Sequence, residues 1–243
     1  MLGKNVLVTG ASSGMGRAVT RLMYQEGATV VAVARGQEKL RALAEELGER
    51  VLVYPADLSE LEGVQGLFDF CKKNSLKLDG IVHCAGTAMT CPLRANSIEK
   101  TEYLMRVNFE SLVEICRFAA SKRYTNEGAS IVALSSTAAL CGDRGLSVYS
   151  ASKAAINTFV KSAAMELVSR KIRINAIAPA MVQTQMYYDT IEEIPSMEAV
   201  IQNAQPFGLI EPEAIAELAE FLLSEKAKYI TGSIIIVGAG HVF

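Results

Sequence analysis

Apolar residues recur along this chain in short dense runs, separated by longer stretches in which they return every three or four positions. The dense runs are rich in Val, Ile and Ala and predict strands at 5–9, 29–34, 51–54, 80–83, 130–134, 173–177 and 233–237. Their near-continuous apolar character, in place of strict alternation, marks strands covered on both faces. The helix-period stretches between them predict an α/β fold: a doubly wound parallel sheet of seven strands with helices on both faces. Two helix starts are legible locally. Ser59-Glu60-Leu61-Glu62 has capping-box spacing, and Glu211-Pro212-Glu213 puts proline and acids in a first turn. Residues 180–207 break the rhythm and read as an irregular segment. Its Met181, Met186, Tyr187, Tyr188, Ile191, Ile194 and Met197 are too apolar for an ordinary exposed loop.

With 243 residues, half of them hydrophobic, and no linker or repeat, the chain is expected to form one domain over residues 1–243. A net charge of −2 without a basic stripe disfavours nucleic acid as a partner. Every apolar run is far shorter than the ~20 residues of a membrane helix, and residues 1–10 lack the order of a signal peptide. A cytoplasmic protein with no membrane partner is therefore expected. Five cysteines without a C-x-x-C pair read as small, buried, reduced thiols, and the neighbours His83 and Cys84 are too few for a metal site, so no metal is expected.

The candidate chemistry falls at strand ends. The first strand runs into Thr9-Gly10-Ala11-Ser12-Ser13-Gly14-Met15-Gly16, followed at once by an amphipathic stretch over 17–26. A strand, glycine turn and helix start present backbone N–H groups and the positive helix end to a phosphate. The spacing is G-x-x-x-G-x-G. About twenty residues on, the second strand ends Val33-Ala34-Arg35, with no carboxylate to hold a ribose 2′-hydroxyl and a guanidinium suited to a 2′-phosphate. NADP(H) is thereby favoured over NAD(H).

Tyr149-Ser150-Ala151-Ser152-Lys153 opens a helical stretch, and residues four apart share a helix face. A lysine ammonium near a phenol is expected to pull its pKa down from about 10 and fit it for proton exchange with an alcohol or carbonyl oxygen. His83-Cys84-Ala85-Gly86 ends the fourth strand, Leu134-Ser135-Ser136 the fifth, and Asn108 is expected inside the long helix after the fourth. All lie at or past the carboxyl ends of strands, where open parallel sheets bind ligands.

Taken jointly, Thr9–Gly16, Asp57-Leu58, Cys84-Ala85-Gly86, Asn108, Ser136, Tyr149-x-x-x-Lys153, Pro179 and Thr184 resemble the short-chain dehydrogenase/reductase family over essentially the whole chain. The resemblance implies a single-domain Rossmann-type fold, NADP(H) as cofactor, a small carbonyl or alcohol as substrate and a homo-oligomer, either dimer or tetramer. It implies Tyr149 as general acid/base, Lys153 as ligand of the nicotinamide ribose, Ser136 as orienter of the substrate oxygen, and Asn108 as the completion of a proton relay. Gly10, Ser12, Ser13, Gly14, Met15 and Gly16 would line the cofactor, Asp57 and Leu58 the adenine, Cys84, Ala85 and Gly86 the cleft floor. Pro179, Val182 and Thr184 would approach the nicotinamide. Serine 136 is preferred to Ser135 because members place the catalytic serine thirteen residues before the tyrosine. The chain departs from the usual Asn-Asn-Ala-Gly at His83-Cys84, from the usual Pro-Gly at Pro179-Ala180, and from the usual aspartate-glycine after the last strand at Val237-Gly238-Ala239-Gly240. Closest in layout are 3-oxoacyl-carrier-protein reductases and hydroxysteroid dehydrogenases. A nucleotide-sugar epimerase or dehydratase shares Tyr-x-x-x-Lys but wants a larger carboxy-terminal region. A non-catalytic NADP sensor has no need of Ser136, Tyr149 and Lys153 together. The stretch Met181–Met197, within the substrate-loop segment 180–207, reads either as an apolar lid or pocket wall or as a helix against a neighbouring subunit, and the apolar carboxy terminus, 234–243, suits a subunit interface.

Overall fold

The computed structural model describes residues 1–241. Seven strands, β1 (Asn5–Thr9), β2 (Thr29–Ala34), β3 (Val51–Pro55), β4 (Leu78–His83), β5 (Thr125–Leu134), β6 (Arg173–Pro179) and β7 (Ile234–Val237), form one sheet in the order β3-β2-β1-β4-β5-β6-β7. Every neighbouring pair is parallel. Nine α-helices are found among the described residues: α1 (Gly14–Gln25), α2 (Gln37–Leu47), α3 (Glu62–Lys73), α4 (Ile98–Met105), α5 (Ser111–Ala119), α6 (Ser147–Leu167), α7 (Gln185–Glu193), α8 (Met197–Ala204) and α9 (Pro212–Leu223). None is long and apolar enough to cross a membrane.

The period-2 geometry of the strands explains why their sequences are apolar throughout. Leu7, Val31, Ile81, Ile131 and Ile174 point into one core with Leu67 of α3, Ile115 of α5 and Val160 of α6. Their neighbours Val6, Val8, Val30, Val82 and Val132 point into the other with Val19 of α1, Leu40 of α2 and Ile215 of α9. All seven expected strands are present, with four of them one to five residues longer at an end. Pro212 opens α9 as its first residue.

Three expectations are corrected. The spacing at Ser59 does not form a capping box, because the Ser59 hydroxyl turns back to the Asp57 carboxylate at 2.8 Å and α3 starts only at Glu62. Segment 180–207 is largely helical: Met186, Tyr187, Tyr188 and Ile191 sit on α7 and Met197 on α8, with Tyr187 and Ile201 buried, while Met181 and Ile194 lie outside both helices. Of the cysteines only Cys71 and Cys116 are buried core thiols, pushed up to about 12 by desolvation, whereas Cys84, Cys91 and Cys141 are partly exposed.

The strand order reverses between β1 and β4, and there the carboxyl ends of two adjacent strands diverge into a crevice. The turns leaving them are in contact. Gly10 has φ +65°, and a Cβ on it would meet the Cys84 carbonyl carbon at 2.9 Å. Gly16 packs against the Gly10 carbonyl so closely that no side chain fits.

Candidate active site

The crevice is a cavity of about 350 Å³ whose lining includes Gly10, Ser12, Ser13, Arg35, Asp57, Leu58, Ala85 and Gly86, eight of the residues expected to hold a cofactor. Gly14, Met15, Gly16, Cys84, Pro179, Val182 and Thr184 do not line it. Gly16 is buried behind the turn, and Val182 is buried where it bridges to Ile210. Thr184 instead touches the turn, lying 3.1 Å from where a Cβ on Gly14 would stand. The start of α1 has no side-chain cap on Ser13 and no acid in its first turn, leaving its N–H dipole open to an anion. This chemistry fits the pyrophosphate of a nicotinamide dinucleotide, and two cations, Arg35 and Lys39, line the same cavity. Asp57 serves its own turn as well, accepting from Ser59 N–H at 2.9 Å.

Sequence reasoning missed Lys39 and Tyr103. Lys39 stands one helical turn past Arg35, a weak but readable signal. Tyr103 comes from α4, and its hydroxyl accepts from the Arg35 guanidinium at 3.0 Å, a meeting of residues 68 apart that no local pattern announces.

Gly86 joins this cavity to the second half of the site. A Cβ there would lie 3.2 Å from Lys153 Nζ and 3.3 Å from Asn108 Oδ1. Lys153 is buried on the sheet-facing side of α6 and donates to the Leu134 carbonyl at 2.8 Å, at the end of β5. Burial draws its pKa down to about 8, opposed only in part by Cys84. The Tyr149 ring centre is 5.9 Å from that ammonium. Its hydroxyl hydrogen-bonds Ser136, but desolvation outweighs that bond and the phenol is shifted upward. The expected lowering by Lys153 is therefore not what this arrangement produces: the ammonium is engaged by a carbonyl, and burial dominates the phenol.

The two serines after β5 separate cleanly. Ser135 is buried and donates to the Lys153 carbonyl at 3.2 Å, pinning α6 to the strand. Ser136 is partly exposed, and its oxygen accepts from Ala138 N–H at 3.1 Å while facing Tyr149.

Asn108 lies not in a regular helix but in a π-helical turn, Arg106–Glu110, between α4 and α5. Such wide turns occur where a side chain must leave the helical register. The Asn108 amide is fully buried and fully used: Oδ1 accepts from Thr87 N–H at 2.8 Å, and Nδ2 donates to the Thr87 carbonyl and the Ser152 hydroxyl, both at 3.0 Å. Ser152 in turn donates to the Tyr149 carbonyl at 2.7 Å. So engaged, the Asn108 side chain anchors the 87 segment to α6. Neither Thr87 nor Ser152 was foreseen.

Ala180 adopts no left-handed angle, and its N–H bonds the Val237 carbonyl at 2.9 Å, so the missing glycine leaves β6 undisturbed. Buried Gln205, also unforeseen, clamps the following loop, accepting from Met181 N–H at 2.7 Å and donating to its carbonyl at 3.1 Å.

Comparison with known proteins agrees with this geometry. A family model described as enoyl-(acyl carrier protein) reductase matches residues 10–241. A 3-oxoacyl-[acyl-carrier-protein] reductase from Bos taurus is 33% identical over 234 residues, 96% of this chain and 95% of that protein. A 3beta-hydroxysteroid dehydrogenase 1 from Eggerthella lenta is 33% identical over 245 residues, 98% and 93% of the two chains. Among solved structures, a 4-hydroxyisoleucine dehydrogenase complexed with NADH superposes with a TM-score of 0.90 at 25% identity, covering 98% of each chain. A glycine turn at the switch point of a seven-stranded parallel sheet, an α6 tyrosine and lysine at its mouth, and these full-length likenesses together make the chain a member of the short-chain dehydrogenase/reductase family, an oxidoreductase acting on CH–OH and C=O groups.

Proposed function

We propose that the chain interconverts a ketone and a secondary alcohol with NADP(H) as cofactor and Tyr149 as general acid/base. The observation that carries the reading is the Tyr149 hydroxyl, bonded to Ser136, one helical turn from a buried ammonium that abuts the dinucleotide cavity through Gly86. The nicotinamide, when bound, supplies or accepts the hydride. The protein's part is to hold the substrate oxygen and move one proton. An upward-shifted phenol is protonated at neutral pH, the state from which Tyr149 donates to a carbonyl oxygen during reduction. Ser136 orients that oxygen. Lys153 then stands near the phenolate and serves the nicotinamide ribose, while Asn108 acts through placement of Thr87 and α6.

The preference for NADP(H) rests on Ala34, Arg35, Gly36 and Lys39, which bring two cations and no carboxylate to the end of β2. Relatives named for 3-oxoacyl-carrier-protein reduction and for 3beta-hydroxysteroid oxidation keep both substrate classes in view. The exposed Met186, Tyr188 and Val200 of α7 and α8 offer an apolar wall to either. We propose a homo-oligomer as well. Met165 and Val168 are exposed toward the end of α6, as are Tyr229 and the edge-strand residue Ile236; Val242 and Phe243 of the expected interface lie outside the described residues. A panel of 3-oxoacyl thioesters and ketosteroids, followed by NADPH absorbance, tests the function. Turnover of at least one class is expected, and none with any ketone or alcohol in either direction would overturn it.

A further inference from the structure

His83 is completely buried at the end of β4, and both of its ring nitrogens are engaged. The Thr9 hydroxyl lies 3.0 Å from Nδ1, and the same oxygen accepts from Ala85 N–H at 3.0 Å. The Ser111 hydroxyl lies 3.3 Å from Nε2 and donates to the Val107 carbonyl at 2.8 Å. Proton counting then fixes the tautomer. Ser111 has one hydrogen and gives it to Val107, so Nε2 must carry the proton and donate to Ser111, which leaves Nδ1 to accept from Thr9. The result is a single directed chain from Ala85 N–H through Thr9, His83 and Ser111 to Val107. Lys153 is the charged group facing the ring, and burial together with that charge holds the imidazole neutral, with its pKa down to about 3.

Both ends of this chain matter to the site. At one end is the Ala85-Gly86 turn that floors the cofactor cavity. At the other is the π-helical turn itself: Ser111 N–H reaches back five residues to the Arg106 carbonyl, and the Ser111 hydroxyl is what meets the Val107 carbonyl. Val107 directly precedes Asn108. We propose that His83 is a positioning residue whose neutral imidazole couples the cofactor turn after β4 to the π-helical turn that projects Asn108 toward Thr87 and Ser152. The proposal rests on the oxidoreductase mechanism above for its kinetic consequence, though not for its geometry.

The chain has two histidines, so nitrogen NMR of ¹⁵N-histidine-labelled protein, with His241→Gln for assignment, reads the ring directly. A His83 signal in the Nε2–H tautomer that does not titrate between about pH 5 and 9 is expected. Titration near the ordinary value of about 6.5, or an Nδ1–H tautomer, would overturn the relay whatever the kinetics show. For function, His83→Leu and Ser111→Ala are each expected to lower kcat about tenfold, while NADPH affinity measured by fluorescence without substrate changes less than about threefold. His83→Gln, whose amide reaches Ser111, is expected to restore most of kcat. Equal loss in Leu and Gln, or no loss in either, would reduce His83 to packing. Tyr149→Phe serves as the benchmark: if it keeps its turnover, the reading of the reaction fails instead, and the nitrogen spectrum still decides the relay.

Discussion

The two ends of the cleft are built differently. At the catalytic end Lys153, Asn108, Ser135 and His83 are buried, and each polar atom described has a protein partner. At the far end Arg35 and Lys39 stand in solvent, and the Arg35–Tyr103 bond is itself exposed. Hydrogen bonds and charges removed from water are stronger and costlier to break than those it screens. Substitutions at the buried end should therefore act on chemistry by large factors, and those at the rim on cofactor choice by moderate ones. The sharpest test is Tyr149→Phe, which keeps the ring and removes the exchangeable proton. Turnover should fall by a factor of ~100 or more with NADPH affinity retained. Near-normal kcat would remove Tyr149 from the mechanism.

Next in size is the titration of Lys153. With its pKa at about 8, the ammonium is present below that pH and lost above it. Cofactor affinity should fall as pH rises through about 8 if the ammonium holds the nicotinamide ribose. Stability should move the other way. Between about 8 and the ordinary value of 10.5 the unfolded chain keeps the lysine proton that the folded chain has released, so this group adds stability as pH rises. The thiols Cys71, Cys84 and Cys116, raised from 9.0 to about 12, act in the opposite sense as pH rises past about 8, so the lysine's share is read as the difference between the parent chain and Lys153→Met. Lys153→Met should abolish both trends, and an unchanged pH profile in that variant would place the titration elsewhere.

At the exposed rim, Arg35→Ala should weaken NADPH roughly tenfold to a hundredfold and leave NADH nearly unchanged, the loss of one charge-assisted contact of ~1.5–3 kcal/mol. Exposure puts the lower figure within reach at high salt. Ala34→Asp should go further by repelling a 2′-phosphate and accepting from ribose hydroxyls. The ratio of kcat/KM for NADPH over NADH, at fixed ionic strength, is the measurement. A parent enzyme that prefers NADH, the cofactor seen with the 4-hydroxyisoleucine dehydrogenase, would overturn the assignment to Arg35 and leave Tyr149 untouched.

The same division explains what could be read from the sequence. Strands buried on both faces write themselves as apolar runs, so all seven were legible, and the glycine turn and Tyr149–Lys153 are local in sequence. The partners that finish the site are not local. Thr87 meets Asn108 across 21 residues, Ser152 meets it across 44, and Thr9 meets His83 across 74. Such pairings depend on the sheet order and leave no periodic trace. The wide turn at Asn108 was missed for a related reason: apolar spacing through α4 and α5 looks like one helix, and only the Ser111 hydroxyl betrays the change of register. Segment 180–207 was misread because its two short helices are separated by Pro195, which breaks the periodicity.

The smallest expected effect concerns two alanines standing where glycine is usual or well suited. Ala180 adopts no positive φ, whereas Ala239, past the end of β7, sits at φ +50° and lends its carbonyl to Phe207 N–H at 3.1 Å. A left-handed alanine costs roughly 1–2 kcal/mol, which glycine avoids, while glycine's freer unfolded chain gives back about 0.4–1 kcal/mol. Ala239→Gly should therefore stabilise slightly, by about 0.5 kcal/mol. Ala180→Gly gains no relief from strain and should destabilise by about 0.5–1 kcal/mol, since only the entropic term and lost packing act there. In a chain of this size the two variants should move Tm in opposite directions, by roughly 1–4 °C each. Thermal melts of both without cofactor make the comparison, because cofactor binding near Ala180 would add its own linkage. Shifts of the same sign would mean that packing at Ala239, which lies against the core with Val237 and Ile210, outweighs its backbone strain.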